Sequence, residues 1–191
     1  MKLWTGNTHR TAIGRKAGSR PVQRLWTLWK AAAHFSPAAP VLDWGCGRGA
    51  DVRWLKKRNL DVDGYDPHPP FGFHQLPKRS YRTVLCIYVV NVLPSVEQRF
   101  ACLAQAWSFV EPGGALVVVS RSTKEIAAEA KARSWKRWGD GFKTGNATFQ
   151  RGHTDAELCE MLWRLPLMGE DCESLFPDQG EFAAVVGVKK S

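Results

Sequence analysis

Between Val41 and Asp51 the chain reads VLDWGCGRGAD, and this stretch limits the possible folds more than any other. A short apolar run ends at Asp43, and Gly45, Gly47 and Gly49 then fall at alternate positions. That order predicts a buried strand opening into a sharp turn whose backbone can approach a ligand without side-chain obstruction. The pattern is D-x-G-x-G-x-G rather than G-x-G-x-x-G, which disfavours a dinucleotide pyrophosphate. An acid at its start suits a ligand carrying positive charge.

The flanking periodicities place this loop in an alternating α/β chain. Val22 to Phe35 has apolar residues near helical spacing and is stopped by Pro37 and Pro40. Asp51 to Arg58 reads as a helix, Leu60 to Asp66 as a strand ending in an acid, and Arg82 to Val90 as a central parallel strand. A helix is expected over Glu97 to Phe109, then an EPGG turn and a strand from Ala115 to Ser120. Lys124 to Trp138 reads as a basic amphipathic helix, and Thr154 to Trp163 as a helix opened by a capping box of Thr154 and Glu157. Glu170 to Phe176 and Glu181 to Val188 are expected to close the fold as an antiparallel hairpin turning at Pro177, Asp178 and Gly180.

Composition narrows the setting. At 191 residues the chain suits one globular unit, and it carries 44% hydrophobic residues, ordinary for a folded protein. No apolar run nears the roughly 20 residues of a membrane span, and MKLWTGNTHR lacks a secretory segment. A cytoplasmic protein without membrane contact is expected. Cys46, Cys86, Cys102, Cys159 and Cys172 are odd in number and scattered, which predicts buried reduced thiols and no metal site. The net charge of +9 is uneven: residues 1 to 30 hold seven Lys or Arg and no acid, and a second basic region runs from Arg121 to Arg151. This asymmetry points to a polyanionic partner, nucleic acid first.

With Asp66 in DVDGYDP standing 23 residues after Asp43, one strand-helix-strand unit on, the chain resembles class I S-adenosylmethionine-dependent methyltransferases. The resemblance implies a Rossmann-like α/β fold with a seven-stranded, mostly parallel sheet and an antiparallel edge hairpin. It implies S-adenosylmethionine as cofactor, held by Asp43, Gly45, Cys46, Gly47, Asp66, Pro67, His68 and Tyr88, with Asp66 on the ribose hydroxyls. One carboxylate can accept from two adjacent hydroxyls. The division implied is a basic arm and helix over residues 1 to 36 and the methyltransferase domain over 37 to 191.

At the end of the fourth strand of the expected sheet, CIYVVNVLPS, such enzymes place residues facing the methyl group, which makes Tyr88 and Asn91 the catalytic candidates. Asn91 is followed by Val92, Leu93 and Pro94 instead of the two prolines and an aromatic of amino methyltransferases acting on DNA bases. His68, in DPHPPFGFH, is either a base or a loop residue stacking on adenine, and Phe71 and Phe73 either line that pocket or anchor the loop. Arg48 is positioned to meet the methionine carboxylate or a substrate phosphate.

TAIGRKAGSRP, YVVNVLP and DGFKTGNATFQRGHTDAEL are similar to stretches of the methyltransferases associated with bacterial DNA phosphorothioation. This resemblance implies methyl transfer to nucleic acid, DNA first; the alternatives are a non-catalytic S-adenosylmethionine-binding module that regulates DNA or partner binding, and a small-molecule methyltransferase. Arg10, Arg15, Lys16 and Arg20 then form a basic arm, with Gly14 and Gly18 supplying freedom to order over backbone or cofactor. Phe149, Gln150 and Arg151 read as base or phosphate contacts, or equally as a turn before the last helix. Lys136 and Arg137, between Trp135 and Trp138, suit unpaired nucleic acid, although tryptophans three apart on a helix also suit core packing.

Overall fold

A computed structural model describes residues 7–31, 39–176 and 180–191. Its spine is the alternation that the sequence predicts. The strand β1 (Val41–Trp44) is followed by helix α2 (Ala50–Lys56), and the helix α1 (Arg20–Ala31) precedes both. Strands β2 (Val62–Tyr65), β3 (Tyr81–Ile87) and β4 (Val110–Arg121) follow, with α3 (Val96–Ser108) between the last two. After β4 come α4 (Thr123–Ala132), three short strands β5 (Lys136–Trp138), β6 (Gly141–Lys143) and β7 (Phe149–Gln150), α5 (Asp155–Trp163), and the closing pair β8 (Met168–Ser174) and β9 (Phe182–Lys189).

The central sheet runs β2-β1-β3-β4-β9-β8, parallel through β4 and antiparallel over the last two strands. This is the Rossmann-like architecture with an antiparallel edge hairpin. Among the described residues the sheet counts six strands to the seven expected. The stretch between β2 and β3 holds Pro67, Pro69, Pro70 and Pro77, which cannot donate to a ladder, and it forms a single 3-10 turn at Pro69–Phe71.

Apolar residues of both sheet faces build the core. One side packs Leu42, Val84, Leu116 and Val118 against α3 and α5, and the other packs Val41, Leu85, Val117 and Val119 against α1 and α2. Burial of β1 and β3 on both faces explains their continuous apolar runs. Val22 and Leu25 of α1 are 0% and 2% exposed, so the N-terminal helix is built into the core.

The described residues depart from expectation in four places. The expected helix over Lys124 to Trp138 stops at Ala132, and Lys136 to Trp138 is a strand in a separate sheet of order β5-β6-β7. Ser134 turns the chain with φ of 53°, and Gly139, with φ of 56°, and Asp140 make the following two-residue hairpin turn. The EPGG stretch is taken into β4, whose register against β3 is irregular there, with Gly113 at φ of 71°. Cys159 and Cys172 form a disulfide between α5 and β8 instead of staying reduced. The fourth is at the end of β3, where the expected run to Val90 stops at Ile87 and a one-turn 3-10 helix covers Val90–Val92. Residues 32 to 35 of the expected first helix, Pro37, and the turn residues Pro177 and Asp178 lie outside the described residues. The capping box of Thr154 and Glu157 forms as predicted.

Candidate active site

The ends of β1, β2 and β3 open on one side of the sheet, and a cavity of about 230 Å³ lies above them. Its floor is the glycine loop. Gly49, with φ of 69°, begins α2, and a Cβ there would stand 2.4 Å from the Phe73 ring. Gly47, with φ of 54°, would bring a Cβ to 3.2 Å from Ala12. Only glycine serves both positions, since left-handed backbone and close neighbours coincide.

Asp66 ties this loop to the next one. Its Oδ2 accepts from the Gly47 backbone N–H and its Oδ1 from the His68 N–H, both at 2.9 Å. A carboxylate oxygen with one donor keeps a lone pair for another. Burial raises the Asp66 pKa, opposed by these two N–H groups. Asp43 is 3% exposed, and its pKa is raised by burial first and by neighbouring Asp51 second, with Arg15 acting in the opposite sense.

The basic arm forms the roof. Thr8, His9, Ala12 and Arg15 line the cavity opposite the glycine loop. The His9 ring lies parallel to that of His68, centroids 4.2 Å apart. At the arm's end, Ser19 donates to Asp51 from its backbone N–H at 2.6 Å and from its hydroxyl at 2.8 Å. The same hydroxyl oxygen accepts from the Val22 N–H at 3.4 Å, opening α1. Gly18 fits against Trp54, where a Cβ would stand 2.8 Å from the indole. The Ser19 and Asp51 anchor of the arm was not singled out in the sequence; the available signal was a serine two places before Pro21 at a helix start.

The cofactor candidates Asp43, Gly45, Cys46, Gly47, Asp66, Pro67, His68 and Tyr88 all line this cavity, as does Arg48. Tyr88 has φ of 59° and donates its backbone N–H to Val119 O at 2.8 Å, so strand β3 ends in a strained turn aimed at the site. Burial and neighbouring Glu125 push its phenol up to about 12, so it stays protonated. The Cys46 thiol is pushed far up by burial and by Asp43 and serves as packing.

Other candidates lie elsewhere. Asn91 is 2% exposed and turned away from the cavity, its Nδ2 donating to Gln150 Oε1 at 3.1 Å. It therefore does not face a transferring methyl, and Gln150 is engaged with it rather than free to read a base. Phe149 is 4% exposed and offers no open face for stacking. Arg151 pairs with Asp140 at 3.0 Å and Glu157 at 2.5 Å, which removes it as a free phosphate contact. Arg20 pairs with Glu181 at 2.9 Å. Arg10, Lys16, Lys136 and Arg137 are exposed and stand outside the cavity.

A buried polar cluster lies beyond Asn91. His153 Nδ1 is 2.7 Å from Ser120 Oγ at the end of β4, and both residues are fully buried. Among the described residues neither His153 Nε2 nor Asn91 Oδ1 finds a hydrogen-bond partner. Burial, with Arg151 and Arg99 nearby, brings the imidazole down to about 3, so it is neutral.

A Rossmann-like sheet carrying a D-x-G-x-G-x-G loop and an acid after β2 defines a nucleoside-cofactor enzyme. Residues 13–165 match the family described as a methyltransferase domain, and the chain belongs to that family. No curated protein matches the chain significantly. Among solved structures, Streptomyces venezuelae DesVI is similar at a TM-score of 0.63 and 16% identity, covering 88% of this chain and 91% of that one. Magnesium protoporphyrin IX methyltransferase from Synechocystis, with bound S-adenosylhomocysteine, gives 0.61 and 16%, covering 90% and 82%. The 1,6-didemethyltoxoflavin-N1-methyltransferase of Burkholderia thailandensis, with its acceptor and S-adenosylhomocysteine, gives 0.60 and 16%, covering 90% and 78%. The cofactor of this chain is S-adenosylmethionine. The cavity fits it by its donor set: paired oxygens on Asp66 for vicinal hydroxyls, buried Asp43 for an ammonium, and unobstructed glycine backbone between them.

Proposed function

We propose that the methyl acceptor is nucleic acid, with DNA favoured. The observation that carries this reading is the charge at the cavity mouth. Arg15 and Arg48 line the cavity, Arg10 and Lys16 are exposed on the same arm outside it, and none of the four has an acid within ion-pair reach among the described residues. Most other arginines of the protein are committed, as Arg79 is to Asp61 and Asp63 and Arg121 is to Glu125 and Glu129. Unpaired cations beside an active site concentrate phosphate. The resemblance of TAIGRKAGSRP to the phosphorothioation-associated methyltransferases supports DNA.

S-adenosylmethionine supplies an activated methyl group. The chain's own part is alignment. Asp66 would hold the ribose hydroxyls and Asp43 would meet the amino group, while Ala12 of the arm stands over Gly47 of the glycine loop. Tyr88, protonated, donates to the acceptor and orients it. Tyr88 is not a strong base, and the His9 and His68 imidazoles on the cavity lining are the groups available to take a proton from an acceptor that must lose one.

A second reading is a small-molecule acceptor. The arm encloses the cavity on the side away from the loop, and two structural neighbours are named for toxoflavin and protoporphyrin acceptors. Transfer of labelled methyl to DNA or RNA, falling steeply with salt, is the expected result. Transfer to metabolites alone, insensitive to salt, would establish the second reading instead.

A further inference from the structure

Strands β5 and β6 put a like-charged pair where a sheet ordinarily avoids one. Lys136 stands directly opposite Lys143 in the antiparallel register, and both are exposed. Like charges directly opposite destabilise a strand pair. Among the described residues no acid forms an ion pair with either: the one acid between Glu129 and Asp155 in sequence is Asp140, and it is committed to Arg99 and Arg151.

The same face holds an aromatic platform. Trp138 lies two residues from Lys136, hence on the same side of the strand, and is 48% exposed. Its cross-strand partner is Gly141, and the gap left there is filled by Phe149, whose ring meets the indole edge-on at 5.8 Å. Phe149 is 4% exposed, so the indole rests on a fixed base and shows its outer face to solvent. Arg137 points to the opposite face, its guanidinium carbon 4.9 Å from the Phe142 ring. β5 is also the outer strand of its sheet, leaving one edge unpaired.

We propose that the β5–β6 face formed by Lys136, Trp138 and Lys143 docks single-stranded nucleic acid. A phosphate sits between the two ammonium groups and a base stacks on Trp138. An anion there converts the opposed lysines from repulsive to bridged, and stacking on an indole is tolerant of base identity. The class of partner rests on the nucleic-acid reading above; the location does not.

Lys136→Glu tests the site without endangering the fold, because it turns the Lys136 and Lys143 opposition into an ion pair. Its thermal midpoint is expected at or above that of the wild type. Binding of a fluorescent oligothymidylate, followed by anisotropy at low salt, should weaken roughly tenfold, with the salt slope smaller by about 0.7. Trp138→Ala should lose roughly tenfold with its salt slope unchanged. Lys57→Glu, at the exposed end of α2, is the control for net charge. Unchanged binding in Lys136→Glu, or an equal loss in Lys57→Glu, overturns the proposal. Loss in Lys136→Glu together with no methyl transfer to any nucleic acid would keep the docking face and remove the acceptor reading.

Discussion

His153 makes the protein's stability depend on pH in a way that can be isolated. In the unfolded chain its imidazole titrates near 6.5, whereas in the fold burial and the two arginines hold it down to about 3. As pH falls below about 6.5 the unfolded state takes up a proton that the folded state refuses, so stability drops until the folded pKa is reached. Between about pH 7 and about pH 5 the loss from this one group is about 2 kcal/mol. Asp43 and Asp66 act in the opposite sense: their raised pKa values let the folded state bind protons first, gaining stability on acidification. The wild-type pH profile therefore mixes the two. Urea unfolding of wild type and His153→Asn at both pH values separates them, because the packing cost of the substitution cancels within the variant. The wild type should lose about 2 kcal/mol more than the variant over that range. An equal change in both proteins would refute the neutral buried imidazole.

Asp66→Ala should weaken S-adenosylhomocysteine binding on the order of 100-fold by calorimetry, since it removes a charged acceptor of two hydroxyls. Ser19→Ala keeps the backbone N–H bond to Asp51 and loses only the hydroxyl one, so it should loosen the arm without freeing it, visible as modestly faster proteolysis between residues 7 and 19, whereas Asp51→Ala, which removes both bonds, should speed it further. Reducing the Cys159 and Cys172 disulfide, which spans 13 residues, should lower stability by roughly 3 kcal/mol while leaving cofactor binding unchanged, as it lies outside the cavity. Gly49→Ala should impair folding, since a Cβ there meets the Phe73 ring in a left-handed backbone.

The cavity's floor was legible because its signals are local: the glycine loop, the strand before it and Asp66 sit within one strand-helix-strand unit. The Thr154 capping box was legible for the same reason. What escaped was set by distant partners. Asn91 looked like a methyl-facing residue until Gln150, 59 positions on, took its amide. The stretch after Ala132 kept an amphipathic pattern, yet Lys136 to Trp138 found pairing partners in β6, and tertiary pairing overrode helical propensity. Ser120 and His153, 33 positions apart, carry no motif that links them. The disulfide was hidden because the two cysteines stand 13 positions apart and only the end of α5 and the following turn bring their sulfurs together.

The short β2 at the margin of the central sheet has a consequence for how the protein behaves at high concentration. An uncovered strand margin is where chains zip together into aggregates. Here Arg79 grips Asp61 at 2.6 Å and Asp63 at 2.8 Å, setting a charged clasp along that margin, and the strand is only four residues long. Another backbone would have to strip these ions of water and break the clasp before pairing. Arg79 thus acts as a guard on solubility, and its replacement by an uncharged residue would be felt first in concentrated solution rather than at the active site.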